Sequence, residues 1–324
     1  MFSAQEAQTL QAALPELHFG KAAVASEPLI QYLHHYGLSD LSAVIAPATG
    51  VQHTLGFFPS GDFRIACHYF RPLAPQGTAV VVHGYYDHVG LYAHLIRHLL
   101  QHHFAVVAFD LPGHGLSSGK SAAIDTFSQY TSALESCLVR MQQASLERPF
   151  HLIGQSTGGS VLMDYCLQHC ERALSEIDRV VLLAPLVRPQ GWQRGKLLHS
   201  LVRLVASGIP RDFAINSHDE AFLRFVKGED PLQSRRLTVE WVGALKQWLK
   251  KIETCGPCKK PVTLIQGTGD ATVDWRYNLP YIRRKFPNTQ IALVEGARHH
   301  LVNESTDFRR EIFQRLDDAI LASD

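Results

Sequence analysis

A serine hydroxyl attacks a carbonyl only when a base takes its proton and preorganised donors hold the oxyanion that develops. Residues 150–160 read Phe-His-Leu-Ile-Gly-Gln-Ser156-Thr-Gly-Gly-Ser, an apolar run entering G-x-S-x-G and continuing into Val161-Leu-Met-Asp-Tyr. At average glycine usage the bare motif arises by chance about 0.1 times in a chain of this length. Its context adds the information: an apolar strand runs into the serine and a helix leaves it, the sharp turn that pushes a nucleophile into the open. Gly154 and Gly158 remove side chains that would collide across such a turn.

The base and the carboxylate that orients it are expected later, in the order serine, acid, histidine, each in a loop after a strand. The run from Pro261 to Gln266 ends in Gly267-Thr-Gly-Asp270-Ala-Thr-Val-Asp274, offering two acids. The run from Gln290 to Val294 ends in Glu295-Gly-Ala-Arg-His299-His300, offering two histidines. For the oxyanion, the N–H of Thr157 follows the nucleophile. A second donor is expected from the Gly84-Tyr85-Tyr86-Asp87-His88 loop, with the Tyr85 N–H as the candidate. His83 is read as a loop histidine that bonds backbone.

These residues need strands to hold them. Apolar runs bounded by Gly, Pro or Asp predict strands at Val51 to Phe58, Arg64 to Phe70, Thr78 to His83, Phe104 to Phe109, Phe150 to Gly154, Val180 to Leu183, Pro261 to Gln266 and Gln290 to Val294. The first two alternate around Pro59-Ser60-Gly61-Asp62 and predict an antiparallel hairpin. Later runs such as Ala79-Val80-Val81-Val82 have the continuous apolar character of strands buried on both faces of a parallel sheet. Helical periodicity fills the gaps: Tyr92 to His103, Thr126 to Gln143 behind an Asp125 N-cap, and a last helix carrying Phe308, Ile312, Leu316 and Ile320. The fold class is α/β, a mostly parallel central sheet with an antiparallel N-terminal hairpin and helices on both faces. Residues 1–50 form an N-terminal extension, helical in part, with no assigned role. Core segments at 51–186 and 256–324 flank residues 187–255, far more helical sequence than a crossover needs, which reads as a helical cap insertion.

Taken together, His83-Gly84, Asp110-Leu-Pro-Gly-His-Gly-Leu-Ser-Ser-Gly119, Gly154-Gln-Ser-Thr-Gly-Gly159, Gly267-Thr-Gly-Asp270 and Glu295-Gly-Ala-Arg-His299 resemble the monoacylglycerol lipase and lysophospholipase group of α/β hydrolases, over roughly residues 50 to 322. The resemblance implies Ser156 as nucleophile, Asp270 as the acid and His299 as the base. It also implies that the insertion, with Asp230-Pro231-Leu232, covers the acyl site. The expected activity is cleavage of a small-molecule carboxylic ester carrying an acyl chain, through an acyl-enzyme and without cofactor. An amide, peptide or C–C bond hydrolase on the same three residues, or a ligand-binding homologue that has lost turnover, are the alternatives. Two positions depart from the group: Tyr85 stands where a small residue is usual, beside the oxyanion hole, and Thr157 where a longer apolar one is common.

Composition narrows the partners. The 324 residues carry 31 basic against 30 acidic side chains, for a net charge of +1, with no basic run longer than the three residues Arg283-Arg284-Lys285, so nucleic acid is set aside. The N-terminus has no basic and apolar signal pattern, and no apolar run reaches the length of a membrane span, which predicts a cytoplasmic protein whose six cysteines are reduced. Cys67, Cys137, Cys166 and Cys170 are expected as small core residues. Cys255-Gly-Pro-Cys258 matches a redox motif but lacks the helix that such chemistry requires, leaving loop cysteines able to form a disulfide. His94, His98 and His102 share a helix face without the spacing of a zinc site, so no metal is expected. The pairs Leu197-Leu198, Leu201-Val202 and Leu204-Val205 offer apolar lining, a transient membrane-facing surface, or plain packing against the core.

Overall fold

Continuous runs of β-branched residues build the centre of the molecule. The computed structural model describes residues 2–46, 48, 50–195, 200 and 206–321. Strands β1 (Gln52–Ser60), β2 (Phe63–Arg71), β3 (Gly77–Val82), β4 (Phe104–Phe109), β5 (Phe150–Gln155), β6 (Arg179–Leu183), β9 (Val262–Gly267) and β10 (Thr289–Val294) form one sheet in the order β1-β2-β4-β3-β5-β6-β9-β10. β1 pairs antiparallel with β2, and β2 with β4, while every later pairing is parallel. Every residue of β3, β4 and β5 is buried, which explains why their sequences do not alternate. Each expected strand is present within two residues of its expected ends. The hairpin is tighter than expected, because Ser60 pairs with Phe63 and Gly61 supplies a positive φ of 55°.

Side-chain alternation splits the core between the two faces of the sheet. Val80 and Val82 face α4 (Ser128–Gln143), which contributes Leu134 and Leu138. Ala79 and Val81 face α3 (Ala93–Gln101), with Leu95 and Leu99, and α10 (Thr306–Ile320), with Ile312 and Leu316. α5 (Thr157–Gln168) leaves the end of β5 and packs on it. Asp125 does not cap α4. The helix begins at Ser128 without a side-chain cap, and the Asp125 N–H instead donates to Gln129 Oε1 at 2.9 Å.

The two helices of the N-terminal extension pack into the main core. α1 (Ala4–Ala13) and α2 (Glu27–His35) bury Leu10, Tyr32 and Leu33 in the cluster that holds Val81. The connecting segment pairs with the outer edge of β1, Leu17 N–H to Phe57 O and Phe57 N–H to Pro15 O, each at 2.8 Å. That cover protects a strand edge that would otherwise present free backbone groups.

Among the described residues between β6 and β9 are a short antiparallel pair, β7 (Gly208–Pro210) with β8 (Arg236–Thr238), and the helices α7 (Glu220–Gly228) and α8 (Val239–Thr254). Trp248 of α8 stacks on Phe127 at 4.5 Å and donates to Asp164 Oδ1 at 3.0 Å, fixing this insertion to α5. The three leucine and valine pairs between 197 and 205 lie outside the described residues.

The cysteines require a correction. Cys170, at the start of α6 (Cys170–Glu176), is bonded to Cys258 across 88 residues, so the expectation of six reduced thiols fails and Cys170 is not a free core thiol. The helical pattern around Cys170 concealed its position at a helix start, where its Cα comes within 5.6 Å of that of Cys258. Cys67, Cys137, Cys166 and Cys255 are free, the first three buried as expected. Among the described residues no helix is long and apolar enough to cross a membrane.

Candidate active site

Ser156 sits between β5 and α5 with φ 53° and ψ −112°, a conformation that L-residues rarely adopt. The surrounding backbone enforces it: Ser156 N–H donates to Leu183 O at 2.8 Å, and Leu186 N–H to Ser156 O at 3.1 Å. A Cβ on Gly158 would stand 2.0 Å from Val82 O, and one on Gly154 would stand 2.6 Å from the Gly158 carbonyl carbon. The tight elbow therefore depends on both glycines.

His299 Nε2 lies 2.9 Å from Ser156 Oγ, and its Nδ1 lies 2.8 Å from Asp270 Oδ2. Asp270, at the end of β9, has both oxygens committed. Gln266 Nε2 donates to Oδ2 at 3.0 Å, while Thr272 and Val273 N–H donate to Oδ1 at 2.8 and 3.1 Å. Burial alone would raise the Asp270 pKa, but His299 and these donors hold it below the ordinary value. Burial alone would lower the pKa of His299, yet the Asp270 carboxylate reverses that and raises it. Asp274 does other work: it caps α9 (Trp275–Lys285) through Tyr277 N–H and pairs with Arg188 at 3.0 Å.

The adjacent histidines diverge. His300 Nε2 approaches Asp87 Oδ2 at 3.2 Å, away from the serine. Asp87 also accepts from Tyr92 OH at 2.9 Å, and Tyr92 OH in turn accepts from Gly84 N–H at 3.0 Å, so this network braces the loop of Tyr85. Burial pushes the His83 pKa down to about 3. Leu111 N–H donates to its Nε2 at 2.8 Å and Nδ1 reaches Gly84 O at 2.7 Å, the backbone-bonding role expected. Among the described residues neither the Tyr85 nor the Thr157 N–H has a protein acceptor, and both residues line the cavity that holds Ser156. The Tyr85 ring stacks on Trp241 at 3.8 Å and its hydroxyl donates to Ala122 O at 2.8 Å. Its bulk thus packs beneath the insertion as a wall of the cavity.

That cavity has a volume of about 660 Å³. Ser156, His299 and the loop from Gly84 to Asp87 line it together. Leu186, Ile209, Phe213, Phe222, Leu223 and Val242 are among its apolar walls. Sequence reading missed Gln155, whose Nε2 donates to His299 O at 2.9 Å, and Gln266. Gln155 precedes the serine inside the motif, and that position was the one available signal. His98 and His102 meet Asp317 of α10 at 2.7 and 3.5 Å, apart from this site.

Comparison with known proteins agrees with this geometry. Residues 74–306 match the family model described as serine aminopeptidase, S33. The chain is 28% identical over 261 residues to the monoglyceride lipase of Homo sapiens, covering 77% of this chain and 84% of that one. It is 23% identical over 267 residues to the monoglyceride lipase homolog of Monkeypox virus, covering 78% and 92%. In fold it is similar to a soluble variant of monoglyceride lipase from Saccharomyces cerevisiae solved with a substrate analog, at TM-score 0.68 and 19% identity, over 82% of this chain and 96% of that one. With the serine elbow, the parallel sheet and a match over most of its length, the chain belongs to the serine aminopeptidase S33 family of α/β hydrolases.

Proposed function

We propose that this enzyme hydrolyses the carboxylic ester of a single-chain lipid, a monoacylglycerol or lysophospholipid, with Ser156 as nucleophile, His299 as base and Asp270 as orienting acid. The observation that carries the reading is the His299 imidazole within hydrogen-bond reach of both Ser156 Oγ and Asp270 Oδ2, lining a large cavity with apolar walls. His299 Nε2 takes the serine proton as Oγ attacks the ester carbonyl. The oxyanion accepts from the Tyr85 and Thr157 N–H groups, the alcohol leaves with the proton from His299, and an acyl-enzyme remains. Water, deprotonated by the same imidazole, then releases the fatty acid and restores the serine. Residues 187–255 act as the cap over the acyl chain, and residues 51–186 and 256–324 as the core that carries the chemistry.

The relatives named monoglyceride lipases support the ester reading, whereas the family description favours an aminopeptidase. Turnover of monoacylglycerols of graded chain length, set beside amides of the same acyl groups and amino-acid anilides, separates the two. Esters should be cleaved with kcat/KM at least about a hundredfold above the matched amides, within the range by which a site separates related substrates. Preferential release of aniline would assign the enzyme to amide cleavage instead.

A further inference from the structure

One cation in the cavity has no role in the chemistry described above. Arg211, which follows β7, lines the cavity that contains Ser156. Its guanidinium lies 3.9 Å over the ring of Tyr86, the neighbour of the oxyanion donor Tyr85, and 4.3 Å from the ring of Phe213. Nη1 donates to Gln233 Oε1 at 2.5 Å and to Ser234 O at 3.3 Å. Among the described residues, Nη2 and Nε donate to no acceptor, and no carboxylate pairs with this side chain. The Asp87 charge is already engaged by His300 and Tyr92, and Asp212, the other acid on the cavity, is exposed. Burial pulls the Arg211 pKa below its ordinary value, and Tyr86 and Asp87 do not restore it. Exposed Arg224 and Lys227 line the same cavity and leave its outer part with an excess of positive charge.

A partly buried arginine held flat between aromatic rings, with one edge free, is a fork preorganised for two parallel bonds to a phosphate or carboxylate. The rings and the two hydrogen bonds offset part of the desolvation it suffers, and an arriving anion would offset the rest. We propose that Arg211 receives the anionic head group of the substrate, so that the preferred ester is a monoacyl glycerophosphate, with the neutral monoacylglycerol a poorer substrate. This rests on the ester-hydrolase reading and chooses within it: the acyl chain follows the apolar walls, the ester carbonyl meets Ser156, and the phosphate on the glycerol meets Arg211.

Steady-state kinetics on the full chain test it, using a lysophosphatidic acid and a monoacylglycerol of the same acyl length, with wild type, Arg211→Gln and Arg211→Lys. The wild type should favour the phosphate-bearing ester by about tenfold or more in kcat/KM, mainly through KM, the size of one charge-assisted contact. Arg211→Gln should lower that ratio by about tenfold, and Arg211→Lys, which keeps the charge but loses the fork, should restore part of it. Free glycerol phosphate added as competitor separates a head-group site from one that takes any small anion. Inhibition that demands the acylated ligand supports the head-group assignment, whereas equal inhibition by inorganic phosphate overturns it. A wild type indifferent to the phosphate, or a Gln variant that loses both esters in proportion, reduces Arg211 to a structural clasp. If monoacylglycerol is cleaved and the ratio does not respond, the head-group inference alone falls. If neither ester is cleaved, the hydrolase reading falls first.

Discussion

Asp270 and Asp274 differ in what their carboxylates hold, although they lie four residues apart in one loop. Asp270 binds His299 and three further donors, while Asp274 caps a helix and meets Arg188. Asp270→Asn should therefore reduce kcat by about 10⁴, through an imidazole left in the wrong tautomer. It should also move the acid limb of the kcat/KM profile downward, because Asp270 is what raises the His299 pKa and the base works only when neutral. Asp274→Asn should keep most activity and nearly all stability, because asparagine caps a helix as well as aspartate does and only the part-exposed pair with Arg188, worth about 0.2–1 kcal/mol, is lost; steady-state rates and urea melts of the two variants check the ranking. Much of this was legible in the sequence, since the serine elbow and the order of acid and histidine follow from local strand-to-loop patterns. Choosing His299 over His300 needed the resemblance, because adjacent residues share every local signal. The sequence marks Gln155 only by its place before the serine and marks Arg211 not at all, because a carbonyl 144 residues away and the lack of a counter-ion are known only from the surroundings.

At the scale of elements, buried parallel strands were the easiest to recognise, and β4 was expected with the ends it has. Helix starts were harder. Asp125 has the chemistry of a cap, but α4 begins three residues later. The insertion announced itself by length between β6 and β9, whereas its short β7 and β8 pair, three residues each, carries too little pattern to register. Disulfide pairing depends on which chain ends the fold brings together, so neither Cys170 nor Cys258 revealed the other. Cys258→Ser should lower unfolding stability by about 2–4 kcal/mol, as loss of a crosslink closing a long loop does, while Cys255→Ser should change little. Thermal melts with and without reductant test this, and a wild type insensitive to reductant would contradict it. Esterase activity in the folded variants should persist, because neither cysteine lines the cavity.

The N-terminal extension, the core and the insertion meet at one buried point. Asp230 accepts from Tyr36 OH at 2.8 Å and pairs with His88 at 3.0 Å, with the side chains of Asp230 and His88 wholly buried. Burial alone would raise the Asp230 pKa, but His88 and its hydrogen bonds bring it down to about 2. Asp230→Ala leaves the buried His88 imidazole and Tyr36 hydroxyl without their acceptor, and should destabilise the fold by about 2–5 kcal/mol in urea titrations; a loss under 1 kcal/mol would mean that the pair is idle. The N-terminal extension has no role legible in the sequence, because partners of its described residues such as Phe57 on β1, His68 on β2 and Phe225 in the insertion lie where no local pattern predicts them. This architecture holds one serine against one imidazole in a cavity of about 660 Å³. The most direct test treats the whole enzyme with a long-chain alkyl fluorophosphonate, maps the adduct by mass spectrometry and follows monoacylglycerol turnover in the same samples. Labelling of Ser156 at one equivalent, with turnover lost in proportion and both absent in Ser156→Ala, is the expected result. An adduct on another residue, or ester turnover that survives in the Ser156→Ala variant, would contradict it.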